Sequence, residues 1–135
     1  MSDRLIFRLK HDGKTLAYLY QNWGMGDGKE IETRVRNVAE TYHFDLTKRA
    51  DAIQAVRVAG EEVYGHAVWN YIPEGNDDEK FASAIKRDIE YLKSHKGEIV
   101  ADNQDRNGFT FFYGTFEDYP EYIDEWCEDS YTMEV

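Results

Sequence analysis

The chain has 135 residues, 41% of them apolar, and a formal net charge of −11 from 27 acids and 16 bases. The length fits one domain, residues 1–135, able to bury its own core. The charge argues against direct nucleic-acid binding, which depends on cationic contacts to phosphate, and against anionic membrane surfaces.

The predicted elements begin with a hairpin. Leu5 to Lys10 and Thr15 to Tyr20 are strand-like runs, and Asp12-Gly13 between them is a strong turn signal. Alternation places Leu16, Tyr18 and Tyr20 on one face, opposite Ala17 and Leu19. Glycines at 24, 26 and 28 break the pattern. Ile31, Val35, Val38 and Tyr42 recur at three to four residue steps and predict a helix from about Lys29 to Tyr42. A second helix is expected to start with Asp45 or Thr47 as its cap, to run to about Ala59, and to end at Gly60. The run from Glu61 to Ile72 reads as helix in part, with a strand over 63–69 as the alternative.

Asn76 or Asp77 can cap the next helix, about Asp78 to Ser94, whose stripe is Phe81, Ile85, Ile89 and Leu92 and which Gly97 follows. Glu98–Ala101 and Phe109–Tyr113 read as a second hairpin. Asp118, Pro120 and Glu121 form a helix start, with Glu121 as capping-box partner of Asp118. On a helix to about Glu128, Tyr119, Tyr122, Ile123 and Trp126 share one face. Glu117, Glu121, Asp124, Glu125 and Glu128 share another. Tyr131–Val135 is expected as a final strand. The fold class is therefore α+β: a small antiparallel sheet of N-terminal and C-terminal hairpins packed against three to four helices.

Few residues carry a signature of chemistry. Cys127 is the only cysteine, so no intramolecular disulfide and no cysteine-built zinc site can form. Neighbouring carboxylates disfavour a reactive thiolate there. His11, His43, His66 and His95 are too far apart in sequence for a local metal motif, and read as exposed or capping residues. Asn103–Gly108 begins like a calcium loop, but Gly114 stands where the bidentate glutamate is needed. Gly24–Lys29 has neither Walker nor Rossmann spacing, and Asp27 and Glu30 would repel an anion. Glu61-Glu62 and Asp77-Asp78-Glu79 are adjacent acids of the kind usually solvated rather than catalytic. No catalytic residue, metal site or cofactor is expected, and the chain reads as non-enzymatic. The opening MSDRLIF lacks a secretory leader pattern and no apolar run reaches the roughly 18 residues of a membrane span, so a cytoplasmic location is expected.

The charge is unevenly placed. Residues 107–135 hold eight acids and no Lys or Arg, leaving 19 acids against all 16 bases in residues 1–106. The same 29 residues carry nine aromatic rings. Disordered acidic tails are poor in aromatics, so this segment is expected to fold and to hold its charges in place. The candidate partner-binding residues are Glu117, Asp118, Glu121, Asp124, Glu125, Glu128 and Asp129, with Tyr122 and Trp126 as aromatic anchors. Carboxylates one helical turn apart project at about 6 Å intervals, near the spacing of successive phosphates. In size, charge and aromatic content the chain resembles the small acidic DNA-mimic proteins by which phages block restriction or CRISPR effectors, and no family motif carries individual residue roles over. The resemblance implies a viral anti-defence inhibitor that occupies the basic nucleic-acid-binding surface of a partner protein. The alternatives are a ligand- or nucleotide-binding domain walled by Tyr18, Tyr20, Trp23, Trp69 and Tyr71, and a structural or assembly protein. A homo-dimer is among the assemblies the sequence permits.

Overall fold

A computed structural model of the protein describes residues 4–21, 24–64, 78–99, 113–116 and 127–135, with backbone alone at 78–81, 84 and 113–116. The fold is α+β. Strand β1 (Leu5–His11) and strand β2 (Lys14–Gln21) form the expected antiparallel hairpin. Asp12 and Gly13 both take positive φ, 50° and 77°, the turn geometry that matches the twist of the flanking strands. The pairing slips by one residue between Leu9 and Lys10, which leaves Leu16 as the extra residue of β2. A one-residue slip exchanges faces, so Leu16 packs on the same apolar cluster as Ala17 and Leu19 and not with Tyr18 and Tyr20.

Among the described residues two more strands join the hairpin in a four-stranded sheet of order β3-β2-β1-β4. Strand β3 (Tyr113–Phe116) runs antiparallel to β2, with Gln21 opposite Tyr113. Strand β4 (Asp129–Glu134) runs parallel to β1, with Phe7 opposite Tyr131. The sheet is thus mixed, which corrects the expectation of an antiparallel sheet. Alternation in a sequence says which face a residue takes but not which strand lies beside it. The long path from β1 to β4 through the helices supplies the crossover that a parallel pair requires. Of the expected second hairpin, Glu98 and Ile99 lie in irregular chain, and Tyr113 opens β3. The remainder lies outside the described residues.

Three helices are present among the described residues: α1 (Gly28–Tyr42), α2 (Arg49–Tyr64) and α3 (Asp78–Ser94). The α1 stripe Ile31, Val35 and Val38 is buried against the sheet side of the core with Leu5, Phe7, Leu9 and Leu19. Each such side chain contributes roughly 1.5–3 kcal/mol by leaving water. The helix ends on His43, whose left-handed φ of 61° lets its N–H bond back toward the last turn.

Helix α2 differs most from expectation. Asp45 does not begin it: the Asp45 carboxylate takes the Thr47 N–H (3.0 Å) and hydroxyl (2.6 Å), forming a turn ahead of Arg49. Asp51, in the first turn of α2, reaches back to the Asp45 N–H at 2.8 Å. Gly60 does not end it: it is absent from the left-handed residues, and the helix runs on to Tyr64. Every residue from Asp51 to Glu61 is buried, because α2 lies between the sheet, α1 and α3. Its polar residues Asp51, Gln54, Arg57 and Glu61 recur at helical steps. At least three of them meet α3 or the turn after it. Arg57 holds Asp88 through two bonds of 3.0 and 2.6 Å, and Glu61 lies 3.7 Å from the same guanidinium. The Gln54 amide donates to the carbonyls of His95 and Glu98, and Lys96 pairs with Asp51 at 3.0 Å.

Both faces of the central strands are buried. Leu5, Phe7 and Leu9 face the helices, while Ile6, Arg8, Tyr18 and Tyr20 are buried on the other face. No helix among the described residues is long and apolar enough to cross a membrane.

Candidate functional site

Two of the nine candidate partner-binding residues lie among the described residues, and both are bonded within the chain. Glu128 precedes β4 in non-helical backbone, so the expected helix does not reach it. Its carboxylate accepts the Arg4 backbone N–H at 2.8 Å and lies 3.9 Å from the Arg4 guanidinium. That N–H bond holds the Glu128 carboxyl below its ordinary range. Asp129 accepts the Gly26 N–H at 2.9 Å with one oxygen and the Ser130 N–H at 2.9 Å with the other. The two acids fasten the start of β4 to the ends of β1 and of the glycine loop. Glu117, Asp118, Glu121, Asp124, Glu125, Tyr122 and Trp126 lie outside the described residues.

The glycine loop is likewise committed internally. The Asp129 carboxylate fills the anion position at Gly26, and Asp27 accepts the Tyr64 hydroxyl at 3.0 Å. Burial, reinforced by Asp27, pushes the Tyr64 hydroxyl far above its ordinary pKa. Cys127 is half-buried; burial first, and then Glu128, push its thiol up, away from the reactive thiolate. The described histidines serve separate places. The ring of His11 bonds the Val135 carbonyl at 2.9 Å, His43 closes α1, and His95 lies against the Tyr91 ring at 4.1 Å. Among the described residues no three His, Cys, Asp or Glu side chains converge as metal ligands. Of the rings expected to wall a ligand pocket, Tyr20 is fully buried and Tyr18 nearly so, and Trp23, Trp69 and Tyr71 lie outside the described residues.

Glu61-Glu62 departs from the expected solvated pair. The continuation of α2 past Gly60 carries Glu61 into the interior beside Arg57, with no exposed surface. Glu62, on the next position around the helix, is half-buried at the edge of an open cleft of about 560 Å³ between α1, α2 and α3. Burial pushes the Glu62 carboxyl up, and Arg34, 3.6 Å away, partly offsets this. Tyr42, Ile85 and Ile89 form the apolar floor. Lys86, Glu90 and Lys93 run along the α3 side at steps of four and three residues, so they form one stripe. Lys93 lies 5.6 Å from the centre of the Tyr42 ring and 3.9 Å from Glu90.

The cleft sets apolar area from Tyr42, Ile85 and Ile89 between the charged side chains of Arg34, Glu62, Lys86, Glu90 and Lys93. Sequence reasoning found its floor as the amphipathic stripe of α3, but not the cleft, because α1 and α3 are brought side by side only through α2. The polar residues at helical steps in α2 were the available signal for that packing. Comparison with protein-family models, with curated proteins and with solved structures finds no match.

Proposed function

We propose that this protein is a non-enzymatic acidic binding protein that docks on a basic protein surface, as a viral anti-defence inhibitor occupying the nucleic-acid-binding surface of a cytoplasmic target would. One observation carries the reading: eight acids and no base in residues 107–135, in a chain otherwise close to charge balance. A one-signed segment interleaved with aromatic rings supplies both steering and anchors for a cationic partner. Glu128 and Asp129 are assigned to holding β4, given their bonds to Arg4 and Gly26. The docking set is then Glu117, Asp118, Glu121, Asp124 and Glu125, with Tyr122 and Trp126.

The test is capture of a partner at low and high salt, followed by competition between the protein and nucleic acid for that partner. A nucleic-acid-handling protein released at high salt and displaced from its nucleic acid is expected. Neutralising Glu121, Asp124 and Glu125 together should abolish capture while the melting temperature is kept. Capture that ignores both salt and these substitutions would overturn the reading.

A further inference from the structure

The geometry points to a second binding surface: the cleft between α1 and α3 receives the acidic, aromatic 117–126 segment of a second copy of this chain, so the protein self-associates head to tail. The inference rests on the reading that this segment is a docking segment, and adds its partner within the protein itself.

The second half of α3 and the turn after it run against the charge of the chain. Lys86, Arg87, Lys93 and Lys96 fall within eleven residues of a protein that carries 16 bases in all. Lys96 is committed to Asp51, but Lys86 and Arg87 are exposed and have no ion pair among the described residues. Among the described residues Lys93 pairs with the exposed Glu90 at 3.9 Å and lies 5.6 Å from the centre of the Tyr42 ring. Two of these cations, Lys86 and Lys93, border the cleft, with Arg34 opposite them on α1. The exposed ring of Tyr91 adds apolar surface to the same half of α3.

Spacing as well as sign favours the 117–126 segment. Lys86 and Lys93 are seven residues apart, about 10 Å along α3. Glu117 and Asp124 have the same separation, as do Asp118 and Glu125. Tyr119, Tyr122 and Trp126 supply rings for the apolar floor and the acids of the same segment supply charge for the lysines, the pairing of apolar and charged contacts by which a segment seats in a groove. The net charge of −11 on each copy opposes approach. At physiological salt that repulsion is screened beyond about 8 Å, so charges in contact decide the outcome. A head-to-tail contact uses different surfaces on the two copies, and so can extend beyond a dimer.

The experiment is a charge exchange read by light scattering and sedimentation over a range of protein concentrations. One variant carries Lys86→Glu with Lys93→Glu; the other carries Glu117→Lys with Asp124→Lys. Wild type is expected to associate as concentration rises, and each variant to associate at least about tenfold more weakly. Mixing the two variants should restore association as a hetero-complex, since each supplies the surface the other lost. A wild type that stays monomeric throughout, variants that associate like wild type, or a mixture that stays dissociated would each overturn the inference. Circular dichroism checks the fold, and Lys86→Gln with Lys93→Gln repeats the cleft arm without reversed charge. The cleft variant keeps every carboxylate of residues 107–135, so it should still capture a basic partner. Intact salt-sensitive capture by a monomeric protein overturns self-association alone. Capture indifferent to the segment variant overturns the proposed function and leaves the charge exchange to stand on its own result.

Discussion

At Gly28, the first residue of α1, a Cβ would fall on the ring of Tyr131. That ring cannot easily move. It stacks on Phe7 with centroids 5.8 Å apart, and its hydroxyl donates to Glu32 at 2.6 Å. Replacing glycine with alanine in a helix ordinarily gains up to about 1 kcal/mol. Overpacking costs about 1–3 kcal/mol, so Gly28→Ala should be a net loss of about 1–2 kcal/mol, measured by denaturant unfolding. A stabilised variant would show that the ring yields. Glu32 gives a second prediction. The Tyr131 hydroxyl, aided by Arg36, holds its carboxyl below the ordinary value. A carboxyl depressed in the folded state contributes stability above its ordinary pKa and loses it as pH falls through the folded value. Glu32→Gln should therefore lower stability at neutral pH and make the acid limb of the stability curve shallower. An acid limb identical to wild type would remove Glu32 from the account. None of this was legible locally, since Gly28 looked like one more loop glycine until β4 brought Tyr131 over it.

The contact between α2 and α3 is decided by charge as much as by Ile89 and Leu92. A guanidinium between two buried carboxylates adds little net stability against an apolar replacement, because desolvation offsets the attraction. It does fix where α3 sits. Removing one member exposes the imbalance. Asp88→Ala should cost about 3 kcal/mol, the low end for a broken buried pair, because Glu61 still faces Arg57. Arg57→Ala should cost about 5 kcal/mol, since it leaves two carboxylates buried without the cation between them. Equal losses in denaturant unfolding would mean that Glu61 does not share the guanidinium. The α1 and α3 helices were readable from their apolar stripes, and α1 matched to within a residue of its start. The extent of α2 was not, because its polar residues and Gly60 read as an exposed end when the partners of those polar residues, on α3 and in the turn after it, are 31 or more residues away.

At the scale of the molecule, β4 is the outermost strand on one side of the sheet among the described residues. Its N–H bonds from Asp129 and Val135 to β1 leave Ser130, Thr132 and Glu134 pointing outward by alternation. Two of these positions are occupied: the Ser130 N–H bonds Asp129, and Arg36 takes the Glu134 carbonyl at 3.2 Å. An edge so blunted resists strand addition. Association through the edge is therefore disfavoured relative to association through charged surfaces, and the two differ in salt response. Arg36→Ala frees the Glu134 carbonyl. If edge pairing drives any self-association, this variant should strengthen it in light scattering at high salt; no change is expected if charge contacts drive it.

The sequence alone determined the α+β class, the first hairpin with its Asp-Gly turn, the cores of α1 and α3, and the concentration of acids in residues 107–135. Each of these depends on neighbours in the chain: side-chain period, turn conformation and net charge are local quantities. Tertiary structure alone decided that β4 lies parallel to β1, that Glu61 is buried while Glu62 borders a cleft, and that Glu128 and Asp129 are bonded to backbone N–H groups of their own chain. These depend on partners brought together across the chain, such as Arg4 and Gly26 for those two acids, more than 100 residues away. Charge can be read from composition, but whether it faces water, another side chain or a partner is settled only by packing.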